Sequence, residues 1–451
     1  MAHDPDWGGG YPVGQRYFDT VLPEIAPAMM DLSVTVAGRR PPREGPVFRY
    51  AELGCGSAYT LVCLAALHPQ AEFLGVDFLP EHVARARRLT DAAGLRNVTV
   101  EEASFADLAA APPADRFDYI AIHGVWTWVS EENRAHLLTV MDRTLKPGGV
   151  AYVAYNCAAG WAAAAPLRRL FREAPPGPPD APFGPARAAV EAWLAHAAPE
   201  SAQTIWKRLS PLPDSYLAHD LGGGHDRPVW HGELAARLAG AKLDYVAPAD
   251  LAEPFDALRF GEDALAFVKR GADGGWGELA RDLATGRTFR ADLFARGAPS
   301  MAGAESRRRL GDMRIMPWPP LLKGEQEQSD DIFPNLAEAI NARLAEGEQT
   351  LAAFAAGLDL PAVHALQVGL ITVARGAARI VFPPDPGAVE SIAGLLEGLR
   401  ARRADGLGVP GVPAPRLGTL APLTTGESEA LLGLAPAEGR TAEGLARLGI
   451  S

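Results

Sequence analysis

Cysteine is scarce: the 451-residue chain has three, Cys55, Cys63 and Cys157, an odd number with no CxxC spacing. That pattern excludes a disulfide framework and a cysteine-based zinc site, and buried thiols are expected instead. Lysine is also rare, at five of 43 basic residues, and none precedes Lys146. Set against 55 acidic residues, the basic residues leave a net charge of −12. Such a chain is repelled by phosphate backbones and by anionic membranes, so no nucleic-acid or membrane partner is expected. No unbroken apolar run reaches the roughly 18 residues of a membrane span. The longest apolar stretch, Leu351 to Phe382, is interrupted by Asp359, Pro361, His364, Arg375 and Arg379. Met1 to Gly10 lacks the cationic start and apolar stretch of a signal peptide, and a cytoplasmic location is expected.

Hydrophobic residues make up 48% of the chain and charged residues 22%, the balance of a soluble globular protein. At about 150 residues per domain the length suggests about three units. Short apolar runs of strand character lie at Phe48–Leu53, Glu72–Val76, Val98–Val100, Tyr119–Ile122 and Val150–Ala154, mostly separated by helix-period segments. This alternation predicts a doubly wound α/β sheet covered on both faces. Pro80 and Glu81 mark one helix start. The proline-rich Ala174–Pro185 reads as a joint, and an Ala-rich helical stretch follows from 186 to 209. Strand patterns return at Lys242–Val246 and Thr288–Ala295, which makes 161–230 a helical insertion and 231–300 the completion of the sheet. Beyond the prolines at 317–320, three short helices (Asn335–Leu344, Gln349–Leu358, Pro361–Arg375) and a strand (Ala378–Pro383) outline a winged-helix-like module over 301–451. Its third helix has no basic face, so packing or protein contact is expected rather than DNA binding. The stretch from Gly406 to Leu423 reads as irregular.

The chemistry concentrates in Tyr50-Ala-Glu52-Leu-Gly54-Cys-Gly56-Ser-Ala58, where a strand runs into Gly-x-Gly and opens a helix. Glycines there let the backbone approach a ligand and aim free N–H groups at it. The triplet alone is weak, but an acid, Asp77, stands at the end of the next strand, where a carboxylate accepts ribose hydroxyls. Tyr59 takes the place of a dinucleotide fingerprint's third glycine, and the missing lysine excludes a P-loop. Glu52 repels phosphate and suits a cationic amino-acid ligand. An adenosyl group bearing an ammonium and a sulfonium satisfies all three features.

On these residues the chain resembles the class I S-adenosylmethionine-dependent methyltransferases. Three further segments agree: Glu102-Ala-Ser104-Phe105 with the adenine-contacting turn, Asp118-Tyr-Ile-Ala-Ile with the fourth-strand motif, and Leu145-Lys-Pro147-Gly148-Gly149 with the turn before strand five. The resemblance implies a Rossmann-like seven-stranded sheet, S-adenosyl-L-methionine as cofactor, and cofactor contacts from Glu52, Gly54, Gly56, Asp77, Phe78, Ser104, Phe105 and His123. Ala58 stands where many members have glycine, and slight crowding is expected. A narrower likeness rests on His123-Gly-Val-Trp126-Thr-Trp128-Val, Tyr155-Asn156 with Gly160-Trp161, YLAHD at 216–220 and RTFRADLFARG at 287–297. Those segments are similar to bacterial methyltransferases with a regulatory domain, among them rickettsial protein lysine methyltransferases, and by that likeness the helical insertion at 161–230 is expected to be the regulatory-domain-like part. Residues 1–45 are expected to be a cap or lid, in which Tyr11 and Tyr17 either close over the cofactor or simply dock onto the domain, and 46–160 the cofactor-binding core. A chain ending near residue 300 is expected to bind cofactor by itself.

Methyl transfer needs alignment, exclusion of water and a neutral nucleophile, not a metal. His123, Tyr155 and Asn156 end strands four and five at the ligand-binding edge and are the expected catalytic residues, His123 as base or cofactor ligand. Trp126 and Trp128 are either an aromatic wall for a cation or core. His219, Asp220, His225, Asp226 and His231 have metal-ligand chemistry, but the Gly222–Gly224 turn between them fixes no geometry, so no metal is expected. The acceptor is expected to be a protein lysine by resemblance. A small-molecule N- or O-methyltransferase and a non-catalytic cofactor-sensing protein are the alternatives, and the oligomeric state is not readable.

Overall fold

The computed structural model describes residues 19–433 apart from Asp115, 179–180, Ala197, 215–216, 218–220, 222–224, Asp226 and 319–334. In chain order, the first half is α1 (Pro27–Val36), β1 (Arg49–Leu53), α2 (Tyr59–Leu67), β2 (Glu72–Asp77), α3 (Pro80–Ala92), β3 (Val98–Glu102), α4 (Phe105–Ala110), β4 (Phe117–Ile122), α5 (Glu131–Thr144) and β5 (Leu145–Asn156). Then come α6 (Ala165–Glu173), α7 (Gly184–His196), α8 (Glu200–Leu209), α9 (His231–Gly240), β6 (Asp244–Pro248), α10 (Glu262–Asp273), α11 (Gly277–Thr285) and β7 (Phe289–Ala295). The remainder is α12 (Gly303–Asp312), β8 (Arg314–Pro317), α13 (Ala337–Ala345), β9 (Gln349–Thr350), α14 (Leu351–Ala356), α15 (Ala362–Ala374), β10 (Ala378–Val381), α16 (Ala388–Ala404), β11 (Gly411–Ala414), β12 (Thr419–Pro422) and α17 (Thr425–Leu431).

Seven strands form one sheet in the order β3-β2-β1-β4-β5-β7-β6, parallel except for β7, which runs antiparallel to both neighbours. Side chains alternate across it, as a strand requires. Tyr50, Tyr119, Tyr152 and Leu293 enter a core shared with α2 and α3, while Ala51, Ile120, Val153 and Phe294 enter the opposite core with α5 and α9. Burial on both faces is why these strands read as near-continuous apolar runs. Pro80 sits in the first turn of α3 with Glu81 beside it, as the sequence predicts. The order of strand addition reverses between β1 and β4, which opens a crevice at the carboxyl ends of the parallel strands, where ligands bind in such folds.

Three features depart from the sequence reading. The Ala-rich stretch 186–209 is two helices, because Pro199 cannot continue the first and caps the second. The stretch 406–423 is not irregular: β11 and β12 form an antiparallel pair turned by Gly418 at φ +59°. Nor is the last unit wholly a separate bead. A three-stranded sheet, β10-β8-β9, packs with α13 to α15 around its own core, but α16 and the β11–β12 pair lie against α2 and α3 of the large sheet. Gly394 and Gly398 permit that approach, since a Cβ at either would meet the Ala93 backbone at 2.8 and 3.0 Å. Glycine–proline composition hides this layer, because its apolar residues (Leu395, Leu399, Val412, Leu420) are spread over a helix and two four-residue strands.

Candidate functional site

The turn after β1 is built by hydrogen bonds to the end of β2. Gly54 and Cys55 donate their N–H groups to the Val76 carbonyl at 2.8 and 3.0 Å. Gly56 donates to Asp77 Oδ2 at 2.8 Å, and Leu79 donates to Asp77 Oδ1 at 2.9 Å. Gly54, at φ +78°, has no room for a side chain, because a Cβ would stand 2.4 Å from Val125 Cγ2. Ala58 is also left-handed, at φ 54°, a conformation that costs alanine about 1 kcal/mol. The expected crowding at Ala58 is therefore backbone strain.

This turn lines a cleft open to solvent, together with Asp19, Thr20, Leu22, Glu52, Tyr59, Thr60, His82 and His123. Glu52, Gly54, Gly56 and His123 thus meet in one place, and Asp77 joins them through its bond to Gly56. Each Asp77 oxygen accepts one backbone N–H; His82 Nδ1 also stands 3.3 Å from Oδ1, while Oδ2 keeps a second lone pair for a ligand hydroxyl. Glu52 is 4% exposed, and its Oε2 has no hydrogen-bond partner. Burial, then the neighbouring Asp77 charge, pushes its carboxyl up to about 8. A buried, unpartnered carboxyl facing a cleft fits a cationic ligand, and the glycine turn fits a ligand lying on the backbone.

His123 follows β4. Its Nδ1 lies 3.0 Å from Tyr152 Oη, the rings stack at 12°, and Phe289 stands 5.8 Å away on β7. Tyr152 donates its proton to Glu24, so His123 Nδ1–H donates to Tyr152 and Nε2 is left as an acceptor. Burial pushes the imidazole down to about 4. A group that weakly basic is neutral at pH 7, able to accept a hydrogen bond but with little drive to take up a proton.

The structure takes Tyr155 away from the cleft. It is 1% exposed, and its hydroxyl donates to Asp292 Oδ2 at 2.7 Å. Asp292 also binds Arg290 in a bidentate pair at 2.9 and 3.0 Å, with His231 Nδ1 at 3.1 Å. Arg290 reaches Asp282 at 2.7 Å and Glu278 at 2.8 Å. Burial opposes ionisation of Asp292, but Arg290 and the His231 hydrogen bond hold its carboxyl down at about 2. The RTFRADLFARG motif thus builds a buried ionic network, and the catalytic expectation for Tyr155 becomes an anchoring one. Asn156, half-buried at the end of β5, pairs in register with Phe289 beside His123.

Phe78, Ser104 and Phe105 lie at the ends of β2 and β3 and do not line the cleft. Ser104 caps α4 in a reciprocal box with Asp107. Trp126 and Trp128 are buried, Trp126 in the core beneath α5 and α9, so neither walls the cleft. His231 belongs to the Asp292 network, whereas Tyr11, Tyr17, most of YLAHD (Tyr216, Ala218, His219, Asp220) and Asp226 lie outside the described residues. Sequence reasoning missed Asp19, Thr20 and Leu22, which carry no periodic signal.

A doubly wound seven-stranded sheet with a Gly-x-Gly turn at its crevice defines a class I methyltransferase fold. Residues 51–149 match the family model of a methyltransferase domain, and 213–296 that of a predicted methyltransferase regulatory domain. The chain is a class I S-adenosylmethionine-dependent methyltransferase carrying that regulatory domain. It is 29% identical over 360 residues to the uncharacterised protein sll1526 of Synechocystis, covering 76% of this chain and 71% of the relative. It is 36% identical over 101 residues to trans-aconitate 2-methyltransferase of Methylobacterium nodulans, covering 22% of this chain and 35% of that one. The structure of PKMT2 from Rickettsia typhi in complex with AdoHcy matches with a TM-score of 0.67 at 19% identity, covering 94% of this chain and 89% of that one. Among the described residues no helix is long and apolar enough to cross a membrane.

Proposed function

We propose that the chain methylates an amine, a lysine side chain of a protein, from S-adenosylmethionine bound in the cleft at Glu52, Gly54, Gly56 and Asp77. The observation that carries the cofactor site is Glu52: a buried carboxyl with an unpartnered oxygen, beside a turn where only glycine fits. Glu52 faces the amino-acid end, Asp77 has a lone pair for the ribose, and Phe78, Ser104 and Phe105 mark the strand ends toward which the base extends. When bound, the cofactor supplies an electrophilic methyl group on a sulfonium. The protein aligns the acceptor and excludes water.

His123 Nε2 is placed to accept a hydrogen bond from the attacking amine, and Asn156 and Phe289 flank its approach. Phe289 is 44% exposed, unusual for a phenylalanine, and its ring offers an approaching cation an attractive face. The acceptor must reach the cleft as the free amine, since His123 is too weak a base to strip an ammonium. Residues 46–160 and 231–300 act together as the catalytic unit, because β6 and β7 complete its sheet. The fold likeness to the rickettsial PKMT2 supports the protein acceptor, and a cleft that reaches His123 favours an enzyme over a cofactor sensor. Incubation with labelled methyl donor and either fractionated lysate proteins or small metabolites tests this. Label in lysine of a protein fraction is expected. Label confined to metabolites points to the small-molecule enzyme, and no transfer points to the sensor.

A further inference from the structure

We infer that Arg402, on the C-terminal helix α16, is a positioning residue of the cofactor cleft, acting through Asp19. This rests on the assignment of the cleft to the cofactor. Asp19, Thr20 and Leu22 form one wall of the cleft. Asp19 is held by three donors from distant parts of the chain: the Ser57 hydroxyl in the glycine turn, Arg85 of α3 at 3.2 Å, and Arg402. The same wall is tied to the first turn of α2, where Thr60 Oγ1 donates to the Thr20 carbonyl at 3.1 Å and accepts from Leu22 N–H at 3.2 Å. Arg402 is itself 7% exposed and held in place: Nε donates to the Gly408 carbonyl at 2.9 Å, and the guanidinium lies 5.2 Å above the Tyr59 ring. Tyr59, also in the cleft wall, donates to the Gly411 carbonyl of β11 at 2.7 Å.

Two cleft residues, Asp19 and Tyr59, therefore take their positions from α16 and β11, some 350 or more residues away in sequence. Arg402 is the link that carries charge. Without it Asp19 keeps Arg85 but loses the partner that draws it toward α16, and a buried carboxylate short of a cation relaxes toward water. The C-terminal layer is in this way a working part of the cofactor site.

The test uses the full chain. Arg402→Met keeps the stem over Tyr59 and removes the charge. It is expected to weaken AdoHcy binding by calorimetry about tenfold, the loss of one charge-assisted contact. The cofactor KM should rise with it while kcat at saturating cofactor holds, and Arg402→Lys should recover part of the affinity. Asp19→Asn should lose a similar factor, and the double variant no more than either single one. In the wild type, AdoHcy should slow amide exchange in residues 399–404 as well as in 19–22, a readout that needs no variant. An unchanged dissociation constant in Arg402→Met, additive losses, or no AdoHcy-dependent protection of 399–404 would overturn the coupling. Failure of the wild type to bind AdoHcy would instead refute the cofactor assignment itself.

Discussion

Cofactor binding should release a proton, and Glu52 should be its source. The Glu52 carboxyl is held at about 8 in the free protein, against 4.5 for an ordinary glutamate. At pH 7 about nine molecules in ten therefore carry the proton. An ammonium brought against Glu52 favours the carboxylate and expels that proton. Affinity for AdoHcy should then rise about tenfold between pH 6 and 7 and level off above pH 8. Calorimetry at pH 7 in buffers of different ionisation enthalpy should count close to one proton released per ligand. The same group sets a stability slope. Between pH 4.5 and about 8 the folded chain holds a proton that the unfolded chain has lost, so stability falls as pH rises through that window. The whole window amounts to at most about 5 kcal/mol. Glu52→Gln should abolish both slopes, bind AdoHcy about tenfold more weakly at pH 8, and melt higher than wild type at that pH. Affinity flat from pH 6 to 8, with no proton release, would refute the placement of Glu52 against a cationic ligand group.

Ala58→Gly should leave the melting temperature within a few degrees of wild type, because relief of the left-handed strain, about 1 kcal/mol, is offset by the lost buried methyl and by the freer unfolded chain; Gly54→Ala should lower it and abolish AdoHcy binding, since the new Cβ collides with Val125. Asp292→Asn leaves Arg290 short of its bidentate partner in a dry site and should cost about 3–5 kcal/mol by urea unfolding. The wild-type contribution of Asp292 is present above the unfolded carboxylate pKa and is lost as pH falls through about 2. Truncation after residue 300 should yield a chain that fails to fold, because it strips α16, β11 and β12 from α2 and α3. Dye binding and near-ultraviolet dichroism check this, and a compact truncated chain that binds AdoHcy would contradict the packing argument.

The sheet was legible because its strands are short, apolar and buried on both faces, a pattern that survives any context. Glu52, Gly54, Gly56 and His123 were legible because strand, turn and helix put them at one edge by local rules. Tyr155 was misread for a physical reason: position at a strand end does not say which face a side chain takes, and Tyr155 points across β7 to Asp292. Asp19 and Arg402 were not legible, since a contact spanning 383 residues leaves no periodicity in either segment. The strand pair at 411–422 was hidden by proline and glycine, which mark turns in sequence and here frame two strands around a tight reversal.

The segment matching the regulatory domain, 213–296, contains both β6 and β7. Were it cut out, β5 would become the rim of the sheet, with a row of unsatisfied N–H and C=O groups ready to pair with another chain. A cell making such a shortened product would get aggregates, not a deregulated enzyme. The segment that matches a regulatory domain is thus also a structural part of the sheet that the cofactor cleft sits on.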